Sequence, residues 1–424
     1  MTILSGDLSG DDGSNFANNS ENSYQVVVGG GTDATAFLDG FTITGGNANG
    51  SFPQTRGGGM YNENGSPTVS NCTFIANTSF DDGGGMGNLS DSSPIVANCA
   101  FMGNTSGNGG AMSNINNSNP TVTNCAFIAN STSGLGGAMY NTGGISTPSV
   151  TNCTFAGNSA GIRGGGIFNS TASPSVTNCT FSGNSGGFSD AGGISNLFNS
   201  APTVTNCVLW NNTPRQILSL NSTPVISYCN IQSSGGSGAG WDAALGTDAG
   251  GNLDVDPVFA DADGADDTIG TEDDDLRLSN GSPCIDAADN TAVPVGVVTD
   301  FDGNDRFVDD GSVSDTGVGT APIADMGAFE APGDCNGNDT PDQLEPDTDG
   351  DGIINDCDDD ISGDMNCDGA LDFDDVAPFV LALTDPAAYA VAFPACNIDD
   401  ADMNGDTFEN GDDLQMFFNA LIGP

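Results

Sequence analysis

Three acidic stretches near the C-terminal end place oxygen-bearing side chains at the alternate positions that a hard divalent cation requires. In DMNCDGALDFDD (364–375), Asp364, Asn366, Asp368, Asp372 and Asp375 fall at positions 1, 3, 5, 9 and 12 of a twelve-residue calcium loop. Gly369 stands at the sharp turn, and Leu371 stands where an apolar anchor belongs. DMNGDTFENGDD (402–413) supplies Asp402, Asn404, Asp406, Asn410 and Asp413, but Thr407 replaces the turn glycine and Glu409 the apolar anchor. The second site is therefore expected to be the weaker. DTDGDGIINDCD (347–358) offers Asp347, Asp349, Asp351, Asn355 and Asp358, with Gly352 at the turn. The chemistry implied is Ca2+ binding, the ion offsetting carboxylates that otherwise repel one another.

Each of the two later loops runs into an apolar segment expected to be a short helix, VAPFVLAL (376–383) and LQMFFNAL (414–421). Acid-rich disorder is the bland alternative, but it does not place a turn glycine and two apolar helices in register. Two such loop–helix units about 38 residues apart resemble a type I dockerin over 363–424, and the preceding acidic segment resembles thrombospondin type 3 calcium repeats. The first resemblance implies an assembly module with a cohesin-like or cell-surface protein partner. The remaining cysteines are read as Cys335 with Cys357 and Cys367 with Cys396, suiting an oxidising exterior and leaving Cys284 unpaired.

The part that must carry this module is repetitive. An apolar residue recurs at Met60, Met86, Met112, Met139, Ile167 and Ile194, always two residues before Asn (62, 88, 114, 141, 169, 196). A second motif follows in each repeat: PTVSNCTFIAN (67–77), PIVANCAFMGN (94–104), PTVTNCAFIAN (120–130), PSVTNCTFAGN (148–158), PSVTNCTFSGN (174–184) and PTVTNCVLWNN (202–212). AFLDGFTITGG (36–46) is an earlier copy and PVISYCNI (224–231) a worn one. Period-two alternation in pieces of three to five residues, broken by Asn, Gly and Pro, specifies short strands joined at corners. One turn of chain per repeat gives a parallel β-helix over residues 20–230 with coils of about 27 residues. Met60, Val69, Cys72 and Phe74 are expected to point inward.

Corner asparagines adopt left-handed backbone readily, and a stacked column of carboxamides satisfies itself. The seven cysteines at 72, 99, 125, 153, 179, 207 and 229 sit at one position of successive coils. Parallel Cβ vectors about 4.8 Å apart do not suit disulfides, so these are read as reduced, buried hydrophobes. Asn-Cys-Thr formally matches a glycosylation acceptor, but its Asn is expected to be buried in a ladder.

The paired glycine and FxxN motifs resemble the repeats of chlamydial polymorphic outer membrane proteins and related bacterial β-helix proteins over 36–212, which implies a right-handed helix serving as a surface or secreted rod. The chain departs from that family in lacking a C-terminal transmembrane barrel. DVDPVFAD (254–261), DLRLSNGSPCIDAADN (275–290), DFDGNDRFVDDG (301–311) and ADMGAFE (324–330) resemble the closing coils of secreted β-helix proteins of the planctomycete type. An open helix end exposes strand edges that need a cover, and Leu276, Leu278, Ile285 and Phe329 are the expected cap contacts.

The organisation expected is all-β coils at 1–240, terminal coils and an acidic cap at 241–332, a calcium linker at 333–360 and a dockerin-like domain at 361–424. With 57 acidic residues against five arginines and no lysine, the surface repels nucleic acid and anionic lipid. Residues 1–212 hold only 11 of those acids, so two kinds of architecture are joined. No 18-residue apolar run predicts membrane insertion. MTILSGDLSGDDGSNF carries no signal peptide, yet calcium loops suit a secreted or cell-surface protein, so the true start is expected upstream. No catalytic residue is assigned: His and Lys are absent, Arg163 and Arg215 stand apart from clear carboxylate clusters, and coils 57–212 contain just Glu63, Asp81, Asp82, Asp91 and Asp190. The leading expectation is a calcium-binding scaffold or adhesion rod. The alternative is a carbohydrate-binding or polysaccharide-degrading β-helix held in a complex by its dockerin-like end.

Overall fold

The computed structural model describes residues 2–13, 16–311 and 313–333, and within the remainder 363–366, 371–393, 396, 398–401, 403, 410–411, 413–422. Two compact units are present, Met1–Asp309 with Val313–Ala331, and Asp310–Ser312 with Pro332–Pro424.

In the first unit, each coil contributes one strand to each of three long parallel sheets. The Met sheet contains Met60–Glu63, Met86–Leu89, Met112–Ile115 and their successors; the Val sheet contains Thr68–Ser70, Ile95–Ala97 and Thr121–Thr123; the Phe sheet contains Thr73–Ile75, Ala100–Met102 and Ala126–Ile128. A five-stranded sheet of two-residue strands, among them Thr78–Ser79 and Thr105–Ser106, closes the coil. Registers repeat motif on motif, as in Met86 with Met112, Val96 with Val122 and Phe101 with Phe127. Alternation then decides the faces: Met60, Val69, Cys72 and Phe74 are at most 2% exposed, as expected. The stack also runs further than the repeats. Thr2–Ser5 pairs with Phe41–Thr44, and Thr247–Asp248 pairs with Val225–Ser227.

Two things hold the core. Phe74, Phe101, Phe127, Phe155 and Phe181 form one column of parallel rings with centroids 4.4–5.1 Å apart. The carboxamides form two internal ladders. Asn62, Asn88, Asn114, Asn141, Asn169 and Asn196 link Nδ2 to Oδ1 at 2.8–2.9 Å. Asn77, Asn104, Asn130, Asn158, Asn184 and Asn212 do the same at 2.7–3.1 Å. In the second ladder each interior Oδ1 also accepts the backbone N–H of the preceding Asn, so buried amides are paired on every side. The seven coil cysteines are buried and free, as is Cys284.

The sequence-based cap needs correction. Leu245 and the partly buried Trp241 pack on the coil core, whereas Leu276 and Phe329 pack against Ala156, and Leu278 and Ile285 against Val208, on the outer side of the Phe sheet. The chain beyond the last coil thus returns along the flank of the stack. Thr299 O accepts from Asn152 Nδ2 (2.7 Å), Gly327 N–H donates to Asn206 O (2.8 Å), and Ala328 N–H donates to Thr180 Oγ1 (3.0 Å). At the closest approach Gly157 meets Gly270, where a Cβ on Gly157 would lie 1.9 Å from the Gly270 carbonyl oxygen. Only glycine is tolerated there, and its φ of 62° is left-handed.

The second unit contains α1 (Val376–Thr384), α2 (Pro386–Ala392) and α3 (Leu414–Ile422). Both expected helices are present, and Pro378 is harmless in the first turn of α1, where no intrahelical N–H partner is lost. α2 was not foreseen, although Asp385 caps it by accepting from Ala388 N–H and Pro386 occupies its first position. Phe379 and Phe417 stack at 3.8 Å in the centre of this unit.

Candidate functional site

In the first unit a trough of about 540 Å³ opens between the coils and the returning chain. Its floor is the corner between the Val and Phe sheets, where Asn71, Asn98 and Asn124 stand one above another at φ 52–53°. Its wall is Phe301 and Asp302. A second cavity of about 240 Å³ adjoins it, sharing Ala126, Phe301 and Asp302, and is lined further by Asp275, Arg277 and Phe329.

The wall is held from behind. Asp300 Oδ1 accepts from Asn304 N–H (2.8 Å) and its Oδ2 from Glu330 N–H (3.0 Å), which closes the turn that projects Phe301 and Asp302. Arg306 is fully buried beneath, 3.6 Å from Glu330 and donating to the Gly327 carbonyl at 2.8 Å. Burial, with the nearby Asp325 charge, holds the Glu330 carboxyl well above its ordinary range despite Arg306. On the open side Arg277 joins Asp302 (2.7 Å) to Asp275 (3.0 Å) and lies over the Phe329 ring at 5.5 Å.

Two corrections follow for the coils. Asn71 and Asn98 are exposed, so the first Asn-Cys-Thr triplet is not hidden in a ladder; Asn152 and Asn178 of the later copies are buried. Arg163 does have a carboxylate partner, Asp190 at 2.9 Å, and Arg56 engages Asp82 at 2.9 Å with Asp81 at 3.9 Å. Both pairs link loops of adjacent coils, and Asp190 and Asp82 are buried in them.

In the second unit, Asp364 and Asp375 are 3% and 0% exposed and face each other. Burial first, and Asp364 beside it, push the Asp375 carboxyl up to about 6, so holding it ionised beside Asp364 is costly when no cation is bound. Asp375 also ties its loop: Oδ1 accepts from Asn366 N–H (3.1 Å) and Oδ2 from Asp372 N–H (2.8 Å). Asp413 Oδ2 accepts from Asn410 N–H at 2.8 Å, so Asp375 and Asp413, the last carboxylates of the two later loops, each hold the residue three before and lead into a helix. Leu371 packs on the Phe379 core, and Tyr389 of α2 donates to the Met365 carbonyl at 3.1 Å. Asn366 and Asp372 meet the buried pair through their backbone N–H groups, and the two carboxylates offer the hard oxygens that Ca2+ takes. Asp368, Asp402, Asn404 and Asp406 lie outside the described residues, as do Asp347, Asp349, Asp351, Asn355 and Asp358. Cys396 is disulfide-bonded, while Cys335, Cys357 and Cys367 also lie outside the described residues.

Elsewhere among the described residues, two carboxylate trios converge within 4.8 Å, Asp7 with Asp11 and Glu21, and Asp286 with Asp309 and Asp315. Neither was predicted. Sequence reasoning also missed Phe301, Asp302 and Arg277, whose meeting with the coil corner leaves no periodic signal.

The family model for the right handed beta helix region matches residues 143–243. With the parallel registers of the coils, this makes the first unit a right-handed parallel β-helix. No curated protein matches the chain. Among the described residues no helix is long and apolar enough to cross a membrane.

Proposed function

We propose that this protein is an extracellular, non-catalytic β-helix scaffold of the adhesion type, whose C-terminal unit is a calcium-folded assembly module. The observation that carries this reading is the buried Asp364–Asp375 pair at the first and last positions of a twelve-residue loop, in front of α1. Two carboxylates buried together are unfavourable without a proton or a cation. Asp364, Asn366, Asp372 and Asp375 would hold Ca2+, and the ion would offset the repulsion between the Asp364 and Asp375 carboxylates while Asp375 keeps its N–H bonds. Because the site forms only on folding, the binding free energy would appear as folding of this unit. Requirement for the ion suits a secreted or cell-surface setting, where calcium is plentiful. The resemblance to a dockerin supports a cohesin-like or cell-surface protein as the partner of α1 and α3.

The α-helices of the described residues all belong to the second unit. Among the described residues, the α-helical circular dichroism therefore comes from that unit. Titration with calcium and reversal with EGTA are expected to raise and then lower the helical band, while the thermal transition of the coils stays in place. Asp364→Asn and Asp375→Asn should abolish the gain. An unchanged helical band in wild-type protein, or an intact gain in both variants, would overturn the reading.

A further inference from the structure

The trough along the Phe sheet has three features that together name a ligand class. Its floor repeats. Asn71, Asn98 and Asn124 place a carboxamide at the same corner of three successive coils, about 4.8 Å apart; Asn71 is engaged by Asp39 and by Asn98 Nδ2, which leaves Asn98 and Asn124 to face a ligand. A ligand running along the stack meets the same group at every step, which rewards a polymer of repeating polar units.

Its wall combines ring faces with fixed carboxylates. Phe301 offers an apolar face, backed edge-on by the buried Phe329 that Arg277 covers, and Arg277 holds Asp302 and Asp275 in set orientations. Pyranose rings present such a mixture in reverse, with C–H faces for aromatic contact and equatorial hydroxyls for bidentate pairing with carboxylates and amides. The charge of the rim then selects among polysaccharides. Glu272, Asp274, Asp275 and Asp302 face one arginine, so a polyuronate or sulfated chain is repelled along its whole length. Shape agrees, because the two cavities meet at Ala126 and form one channel beside the coils rather than a closed pocket.

We propose that this channel binds a linear, uncharged polysaccharide lying along the coil stack, with Asn98 and Asn124 as floor contacts, Phe301 as the ring platform and Asp302 as the hydroxyl acceptor. The site is made entirely by the first unit and does not depend on calcium binding by the second. The rod thereby acquires a ligand of its own, separate from any protein partner of the assembly module.

The test is affinity electrophoresis of the full chain, with EDTA present, through gels containing galactomannan, glucomannan or hydroxyethylcellulose, and through polygalacturonate as the anionic control. Retardation by at least one neutral glycan and none by polygalacturonate is expected. Asn98→Gly and Asn124→Gly remove the amides at these floor positions while allowing the left-handed backbone, and Phe301→Ala removes the platform. Each should weaken retention about tenfold. Phe188→Ala removes a fully exposed ring that does not line the channel, and its retention should be unchanged. Unaltered coil melting in each variant separates lost binding from lost folding; for a variant with altered melting, a leucine at position 301 or a serine at 98 or 124 is substituted and retention measured again. Mobility unaffected by all three neutral glycans overturns the inference. So does retention of the correctly folded Phe301 and Asn124 variants at wild-type strength, or equal retention by polygalacturonate.

Discussion

Replacing Asn130 by Ala removes four buried hydrogen bonds at once, and the cost follows from what each partner is left with. Asn130 Nδ2 donates to the Phe101 carbonyl (2.8 Å) and to Asn158 Oδ1 (3.0 Å). Its Oδ1 accepts from the backbone N–H of Asn104 (3.0 Å) and from Asn104 Nδ2 (2.9 Å). Asn158 Oδ1 keeps the N–H of residue 130 and Asn104 Nδ2 keeps the Phe74 carbonyl, so those two are only weakened. The backbone N–H of Asn104 loses its partner in a fully buried site. At about 1–3 kcal/mol for an orphaned buried group, with smaller losses for the weakened ones and for the void, the change should cost about 3–6 kcal/mol. The control is Asn116, which is exposed but stands at φ 56°. Alanine there costs about 1–2 kcal/mol of left-handed strain, and Asn116→Gly removes the side chain without it. Urea denaturation followed by the β-sheet dichroism of the coils gives the midpoint shifts. Equal midpoints for Asn130→Ala and Asn116→Ala would refute the idea that the ladder is internal and cooperative.

The coil thiols should resist alkylation in native protein and react once it is unfolded, because burial and the neighbouring thiol hold Cys125 and Cys179 well above the ordinary thiol range, and burial pushes Cys284 up to about 12; a disulfide joining Cys125 to Cys153 found by mass spectrometry would overturn the register. The raised Glu330 carboxyl means that the folded state binds its proton more tightly than the unfolded chain does. Its contribution is therefore complete below the ordinary glutamate range and is lost as pH rises through the folded value. Glu330→Gln should flatten the fall in coil stability measured by urea midpoints between mildly acidic and neutral pH, and an unchanged slope would exclude Glu330 as its source. Arg306→Ala removes a fully buried guanidinium with its bonds to the Asp325 and Gly327 carbonyls and its contact with Glu330, and should cost about 3–5 kcal/mol, read in the same assay, with a loss under about 1 kcal/mol counting against a structural role for Arg306. In the second unit, Asp402→Asn should reduce the calcium-induced helix signal less than Asp364→Asn, since Thr407 and Glu409 spoil the second loop; the opposite order would reverse the assignment of the stronger site.

Whatever repeats in this chain was legible from its residues. A period of about 27 residues places Val69, Val96 and Val122 in one environment, and alternation by two then decides that they face inward, so strand, register and core follow from position in the coil. The helices Val376–Thr384 and Leu414–Ile422 were legible for a similar reason, since each depends on neighbours a few residues away. What occurs once was not. Asn71 and Asn152 begin the same Asn-Cys-Thr triplet, yet one is exposed and the other is covered, because Thr299 happens to return to the later coil. Gly157 against Gly270, Arg306 beneath Gly327, and Phe301 beside Asn98 are likewise single contacts between distant segments. No local pattern encodes such contacts. They are settled when the acidic segment finds, among several similar coil faces, the one whose small residues let it pack, and that choice also creates the channel.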